Sequence, residues 1–181
     1  IRRAQSAGFC FGVDNAVATA MKTAAENRGK TIVTLGELIH NPDVVENLRE
    51  LGVTAVEDVS GIEDGIVIIR SHGVGSGVYD QIRQKGLEFI DATCPYVKSI
   101  QNKVEKYHKK GYTIIIVGDD SHPEVIGVNG WCENSAVIVA SPQQAADIET
   151  EKPVCVVAQT TIIKSLFDEV CGVILKKYPS A

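Results

Sequence analysis

The chain has 181 residues, enough for one large domain or two small ones, and it is 44% hydrophobic and 23% charged, the balance of an ordinary globular protein. A net charge of −5 argues against nucleic acid as a general partner, although a local basic pocket remains compatible with it. No apolar run approaches a membrane span and no secretory signal is visible; the chain begins with Ile1, which reads as a processed or excised piece.

Five cysteines occur, Cys10, Cys94, Cys132, Cys155 and Cys171, an odd number with no Cys-x-x-Cys pair. That pattern suits a reducing cytoplasm rather than a disulfide scaffold. Cys155 in an apolar run, Cys171 on the last helix and Cys132 beside Trp131 read as buried thiols.

Residues 1–9 form a weak, edge-like segment. Cys10 then stands between Phe9 and Phe11, just before a helix expected from about Val13 to Glu26, with Ala16, Val17, Ala20, Met21 and Ala24 on one face. A cysteine at a helix start is where backbone amides favour thiolate, and it is equally a place for a small buried residue. Thr31–Leu35 is the first strand. Asn41-Pro42-Asp43 opens the next helix, with Asn41 as cap and Pro42 in the first turn. Val53–Val56 and Gly65–Ile69 are the next strands.

The strand ending at Ile69 leads into Arg70-Ser71-His72-Gly73-Val74-Gly75, whose glycines would let backbone approach a ligand. A helix near Tyr79–Lys85 and a strand Leu87–Ile90 follow. Then comes Asp91-Ala92-Thr93-Cys94-Pro95, with a long helix from Pro95 to about Lys110. Cys94 thus repeats the setting of Cys10.

Thr113–Val117 is a β-branched run that reads as a buried strand, and Gly118-Asp119-Asp120-Ser121-His122-Pro123-Glu124 follows it. The order strand, glycine, three residues, histidine, then proline, acid and valine occurs earlier, from Leu35 through His40 to Val44 and Val45. This reads as an internal repeat of one α/β unit. Strands at Ala136–Ala140 and Val154–Ala158, the turn Gln159-Thr160-Thr161 and a helix Leu166–Lys177 complete the second copy, which lacks a fourth strand and a counterpart of Cys94. The expected fold is therefore α/β, with two small repeated units, each a mostly parallel sheet flanked by helices. Residues 1–12 form an N-terminal segment, 13–94 the first unit and 95–181 the second.

His40, His72 and His122 fall where strands end, the position at which open α/β sheets bind ligands, whereas His108 reads as exposed and uninvolved. Histidine, threonine, glutamine, glycine and serine at such mouths suggest a small anionic ligand. Cys10 and Cys94 are too far apart in sequence for a zinc finger, and thiolates from separate segments suit a metal or iron–sulfur cluster, which needs more of them.

Six stretches in order, Gly8–Val13, Glu37–Asn41, Arg70–Val74, Asp91–Pro95, Gly118–Glu124 and Gln159–Thr161, resemble the motifs of the LytB family, the 4-hydroxy-3-methylbut-2-enyl diphosphate reductases. The resemblance implies the last step of the methylerythritol phosphate route, reductive loss of an allylic hydroxyl to give isopentenyl and dimethylallyl diphosphates. It implies that Cys10 and Cys94 are two of three ligands of a 4Fe–4S cluster. It also implies that His40, His72 and His122 hold the diphosphate as protonated rings or N–H donors, and that Glu124 supplies a proton with Thr160 hydrogen-bonded beside it. The implied partners are the allylic diphosphate and a ferredoxin- or flavodoxin-like electron donor. The family has three α/β units and this chain covers two, so the third cysteine and the diphosphate-binding Ser and Asn residues of the third unit would lie beyond it. By that logic the chain as it stands is expected to have little or no activity alone.

Two other classes compete. In a non-enzymatic phosphate- or diphosphate-binding module the histidines bind the anion and the cysteines are merely buried. A zinc hydrolase would use Cys, His and Glu124, but the chain has no His-Glu-x-x-His motif or close Cys/His pair.

Overall fold

The fold is described from a computed structural model, and residues 8–180 are described. The expected edge-like segment lies mostly outside these residues. Among the described residues strands and helices alternate, except that the strands Val53–Val56 and Ile66–Ile69 follow one another without a helix, and every strand pair is parallel.

The residues group into two compact units: the described residues to Gly73 with Tyr79–Pro95, and Val74–Val78 with the described residues from Tyr96 onward.

The first unit holds a four-stranded sheet of order β2-β1-β3-β4, with β1 at Ile32–Leu35, β2 at Val53–Val56, β3 at Ile66–Ile69 and β4 at Glu88–Asp91. Strands β1 and β3 are buried along their whole length, as uninterrupted Val/Ile/Leu runs require when helices cover both faces. On one face Ile32, Val53 and Ile68 pack with Ala16, Val17, Ala20 and Ala24 of α1 (Phe11–Glu26) and with Val44 and Leu48 of α2 (Pro42–Glu50). Small alanines on α1 let that helix lie close to the sheet. Helix α1 starts two residues before the expected Val13, so Cys10 itself is the N-cap. Helix α2 begins as its sequence dictates: Asn41 Oδ1 accepts from the Val44 amide at 3.1 Å and Pro42 fills the first turn. Helix α3 covers Ser76–Gln84, three residues earlier than expected, and α4 runs Pro95–Lys109.

The second unit holds a three-stranded sheet of order β6-β5-β7, with β5 at Thr113–Val117, β6 at Val137–Val139 and β7 at Val154–Ala158. Ile115, Val117, Val139 and Val154 pack with Ala145 of α6 (Pro142–Ala146) and with Val170 and Ile174 of α7 (Lys164–Lys177). Helix α5 (Pro123–Asn129) buries Val125 and Val128 and runs into a 3-10 turn, Gly130–Cys132. In both sheets the first strand in sequence is flanked by the next two, which is the physical content of the repeat. The first sheet adds β4, the strand that delivers Cys94.

Cys132 is fully buried, as expected, whereas Cys155 and Cys171 are only half-buried. His108 is half-buried too, with its Nε2 3.8 Å from a Glu133 carboxylate oxygen.

Candidate functional site

Except for Cys10, the residues singled out by sequence lie just beyond the carboxyl ends of parallel strands.

In the first unit, β1 leads to His40, β3 to His72 and β4 to Cys94. These three turns are tied together through backbone. The Cys94 amide donates to the Ser71 carbonyl at 2.9 Å. The Ser71 amide and hydroxyl both donate to the Leu38 carbonyl, at 3.2 and 3.0 Å. Ser71 is buried, so these bonds are shielded from water and fix the turns relative to one another. Asp91 completes the turn before Cys94: one carboxylate oxygen accepts from the Thr93 amide at 3.1 Å and from the Thr93 hydroxyl, and the other accepts from the Tyr79 hydroxyl at 3.0 Å. The imidazoles of His40 and His72 come together, with ring centroids 4.7 Å apart and planes tilted by 39°. Two imidazoles this close can offer ring N–H groups to one small ligand. Glu37 Oε2 is 3.9 Å from His40 Nδ1.

Cys10 is the exposed N-cap of α1, and its side chain makes no capping bond. Cys94 reaches the same helix start: a Cβ built on Gly12 would lie 2.6 Å from the Cys94 sulfur. The Cys94 sulfur thus lies against the first turn of the helix that Cys10 caps, a turn whose first amides have no intrahelical partner. Two cysteines, one capping this helix and the other laid against its first turn, are soft donors of the kind that a metal or cluster takes.

In the second unit, β5 leads to His122 and Glu124, and β7 leads to Thr160. Glu124 is 2% exposed. Its Oε1 accepts from the Thr160 amide and its Oε2 from the Thr160 hydroxyl, each at 2.6 Å. A buried carboxylate requires such donors. His122 is the N-cap of α5, and its Nδ1 accepts from the Glu124 amide at 3.1 Å. That bond needs a lone pair on Nδ1, so in this arrangement the ring presents N–H only at Nε2.

Gln159 was read in sequence as one of the strand-mouth residues that suit a small anionic ligand. It accepts from the Asp119 amide at 3.1 Å and donates to Thr161 Oγ1 at 2.8 Å, joining the turns after β5 and β7. Hydrogen bonds from the Ser121 hydroxyl and amide hold the Asp119 carboxyl below its ordinary range. Sequence reasoning passed over Gly12, Ser71 and Asp91 as participants. Their roles are close approach and turn geometry, which no residue-type pattern announces.

One expectation is corrected. Gly75, read as room for a ligand, is occupied by backbone: a Cβ there would lie 3.1 Å from the Gly130 Cα.

Comparison with known proteins agrees with the motif order. The model of the LytB protein family matches residues 1–181. A 4-hydroxy-3-methylbut-2-enyl diphosphate reductase from Alkaliphilus oremlandii is 50% identical over 174 residues, which are 96% of this chain and 62% of that protein. The protein of the same name from Caldanaerobacter subterraneus is 46% identical over 177 residues, again 96% of this chain and 62% of that one. Among solved structures, the E-1-hydroxy-2-methyl-but-2-enyl-4-diphosphate reductase of Plasmodium falciparum superposes with a TM-score of 0.91 at 28% identity, covering 97% of this chain and 56% of that one. The structure of a (E)-4-hydroxy-3-methyl-but-2-enyl diphosphate reductase, described as the terminal enzyme of the non-mevalonate pathway, gives 0.84 at 38% identity, covering 98% and 64%. The chain therefore spans about three fifths of the length of these relatives.

Proposed function

The chain belongs to the LytB family, and from that membership we propose that it supplies most of the site for reductive dehydroxylation of 4-hydroxy-3-methylbut-2-enyl diphosphate. The reaction takes up two electrons and two protons, breaks the allylic C–O bond, and releases water with isopentenyl or dimethylallyl diphosphate. The observation that carries the reading is the buried Glu124 carboxyl held by both donors of Thr160.

In this reading His40 and His72 of the first unit and His122 of the second bind the diphosphate through ring N–H groups. Glu124 delivers the proton that leaves in water, because a hydroxide is a poor leaving group and a protonated oxygen is a good one. The Thr160 hydroxyl is both donor and acceptor, so it serves Glu124 in either protonation state, whereas the Thr160 amide serves only the carboxylate. Cys10 and Cys94 are two of three thiolate ligands of a 4Fe–4S cluster, the third coming from the length of the relatives that this chain does not span. When bound, such a cluster supplies electrons and a Lewis-acidic iron for the departing hydroxyl. The electrons come from a ferredoxin- or flavodoxin-like donor, and the setting is cytoplasmic. Among the described residues no helix is long and apolar enough to cross a membrane.

The test is anaerobic reconstitution with iron and sulfide of a protein of the relatives' length carrying these residues, followed by assay with a reduced dye. Product formation that falls at least about a thousandfold in Glu124→Gln, with diphosphate binding retained, supports the assignment. Diphosphate binding without product in any form favours the anion-binding module instead. The present chain alone is expected to turn over little substrate, and efficient product formation by it would show that the two units suffice.

A further inference from the structure

We propose that Gly12 is the positioning residue for the Cys94 sulfur, and that its missing side chain lets this sulfur lie against the helix turn that Cys10 caps. The proposal rests on the reading of those cysteines as co-ligands and adds a residue to it.

Gly12 is the second residue of α1 and is buried. A Cβ at this position would lie 2.6 Å from Cys94 Sγ, 3.3 Å from Cys94 Cβ and 3.9 Å from Cys94 Cα. The first distance is far inside van der Waals contact, the last is ordinary, so the obstruction is the thiol side chain and not the chain path. Two other reasons for a glycine are absent. Gly12 does not belong to the positive-φ glycines, so its backbone suits any residue. It lies within a helix, where alanine is the better former. Close approach of the sulfur is what remains. By contrast, Gly172 of α7 has nothing within 4 Å of its Cβ position.

The thiol has little room to retreat. The Cys94 amide is bonded to the Ser71 carbonyl at 2.9 Å, the Ala92 amide to the Ile69 carbonyl at 3.1 Å, and Thr93 to the Asp91 carboxylate. With the backbone pinned on its own sheet, only rotation about the Cys94 Cα–Cβ bond is free. Gly12 opens the rotamer that lays the sulfur on the first turn of α1, the turn that Cys10 caps. A methyl group at residue 12 would turn the sulfur away from that turn.

Cadmium binding to the metal-free protein tests this without turnover, through the sulfur-to-metal absorption band. The wild-type protein is expected to show a band that both Cys10→Ser and Cys94→Ser remove. Gly12→Ala should weaken that binding about 10- to 100-fold with unchanged helix content, and Gly172→Ala should leave it alone. Equal affinity in Gly12→Ala overturns the proposal while the co-ligand reading stands. A band insensitive to both cysteine substitutions, or none in the wild-type protein, removes the co-ligand reading and the proposal with it. If Gly12→Ala folds poorly, a thermal double-mutant cycle decides: its loss should disappear in a Cys94→Gly background, where only the Cα at 3.9 Å remains. An equal loss in both backgrounds overturns the proposal.

Discussion

Thr160 meets Glu124 twice, the amide donating to Oε1 and the hydroxyl to Oε2, each at 2.6 Å. The two bonds differ in what a substitution can remove. Thr160→Val deletes the hydroxyl bond, keeps the shape and leaves the amide bond. One oxygen of a carboxylate that is 2% exposed then loses its donor, at a cost of about 1–3 kcal/mol. Thr160→Ser should restore most of it. Urea unfolding checks the stability order, serine close to threonine and both above valine. Activity in the reconstituted enzyme is expected to follow the same order, because only a hydroxyl can both donate to and accept from Glu124.

His122 holds α5 by accepting the Glu124 amide at Nδ1. Asparagine also caps helices well, so His122→Asn should keep the fold and lose the ring N–H, whereas His122→Ala loses both. Alanine is expected to cost about 0.5–2 kcal/mol and asparagine a few tenths. If the ring binds diphosphate, both variants lose affinity to a similar degree. Calorimetric titration with inorganic diphosphate, set beside melting curves, separates the two roles.

How far these features were legible in sequence depends on which force sets them. Apolar β-branched runs announced the strands, since a strand covered on both faces has no polar alternation to hide it. Asn41-Pro42 announced the start of α2. The start of α1 was missed by two residues because Cys10 is a poor cap by residue type, and its side chain indeed makes no capping bond. His40, His72 and Cys94 were visible as strand-end residues, but the backbone bonds through Ser71 that tie their turns together were not, because carbonyls and amides carry no sequence identity. Gly75 was read as a ligand glycine and Gly12 was given no role; the first is met by backbone and the second by a sulfur, which only coordinates reveal.

Gly130 and Gly75 face each other through their Cα atoms. A Cβ on Gly130 would lie 2.6 Å from Gly75 Cα, and one on Gly75 would lie 3.1 Å from Gly130 Cα. The strands of chain are clamped on either side, by the Ser76 hydroxyl donating to the Gly130 carbonyl at 2.9 Å and the Trp131 indole donating to the Val74 carbonyl at 2.9 Å. Backbone cannot rotate aside as a side chain does, so Gly130→Ala should cost about 1–3 kcal/mol or more, and Gly75→Ala less. Chemical denaturation of the two variants gives that order directly. Equal, negligible losses would mean that the clamp gives way freely.

Stability is expected to decline with alkaline pH through the thiols of the second unit. Burial pushes the Cys132 thiol above its ordinary range, with hydrogen bonds from the Ser135 and Ala136 amides pulling the other way. Burial likewise raises Cys155 and Cys171, against the nearby Lys103 in the first case and together with Asp168 in the second. In the unfolded chain each thiol loses its proton near its ordinary value of about 8.5. Between that pH and the higher folded value the unfolded state binds fewer protons than the folded one, so the unfolding free energy falls as pH rises. The contribution is complete below about pH 8 and lost on passing up through the folded value. Cys132→Ala should cost about 1–2 kcal/mol at pH 7 from lost packing, and its deficit against the wild-type protein should narrow above pH 9 as the slope due to this thiol disappears. Denaturation midpoints of both proteins from pH 7 to 10 give the two slopes, and parallel lines would place the alkaline loss on other groups.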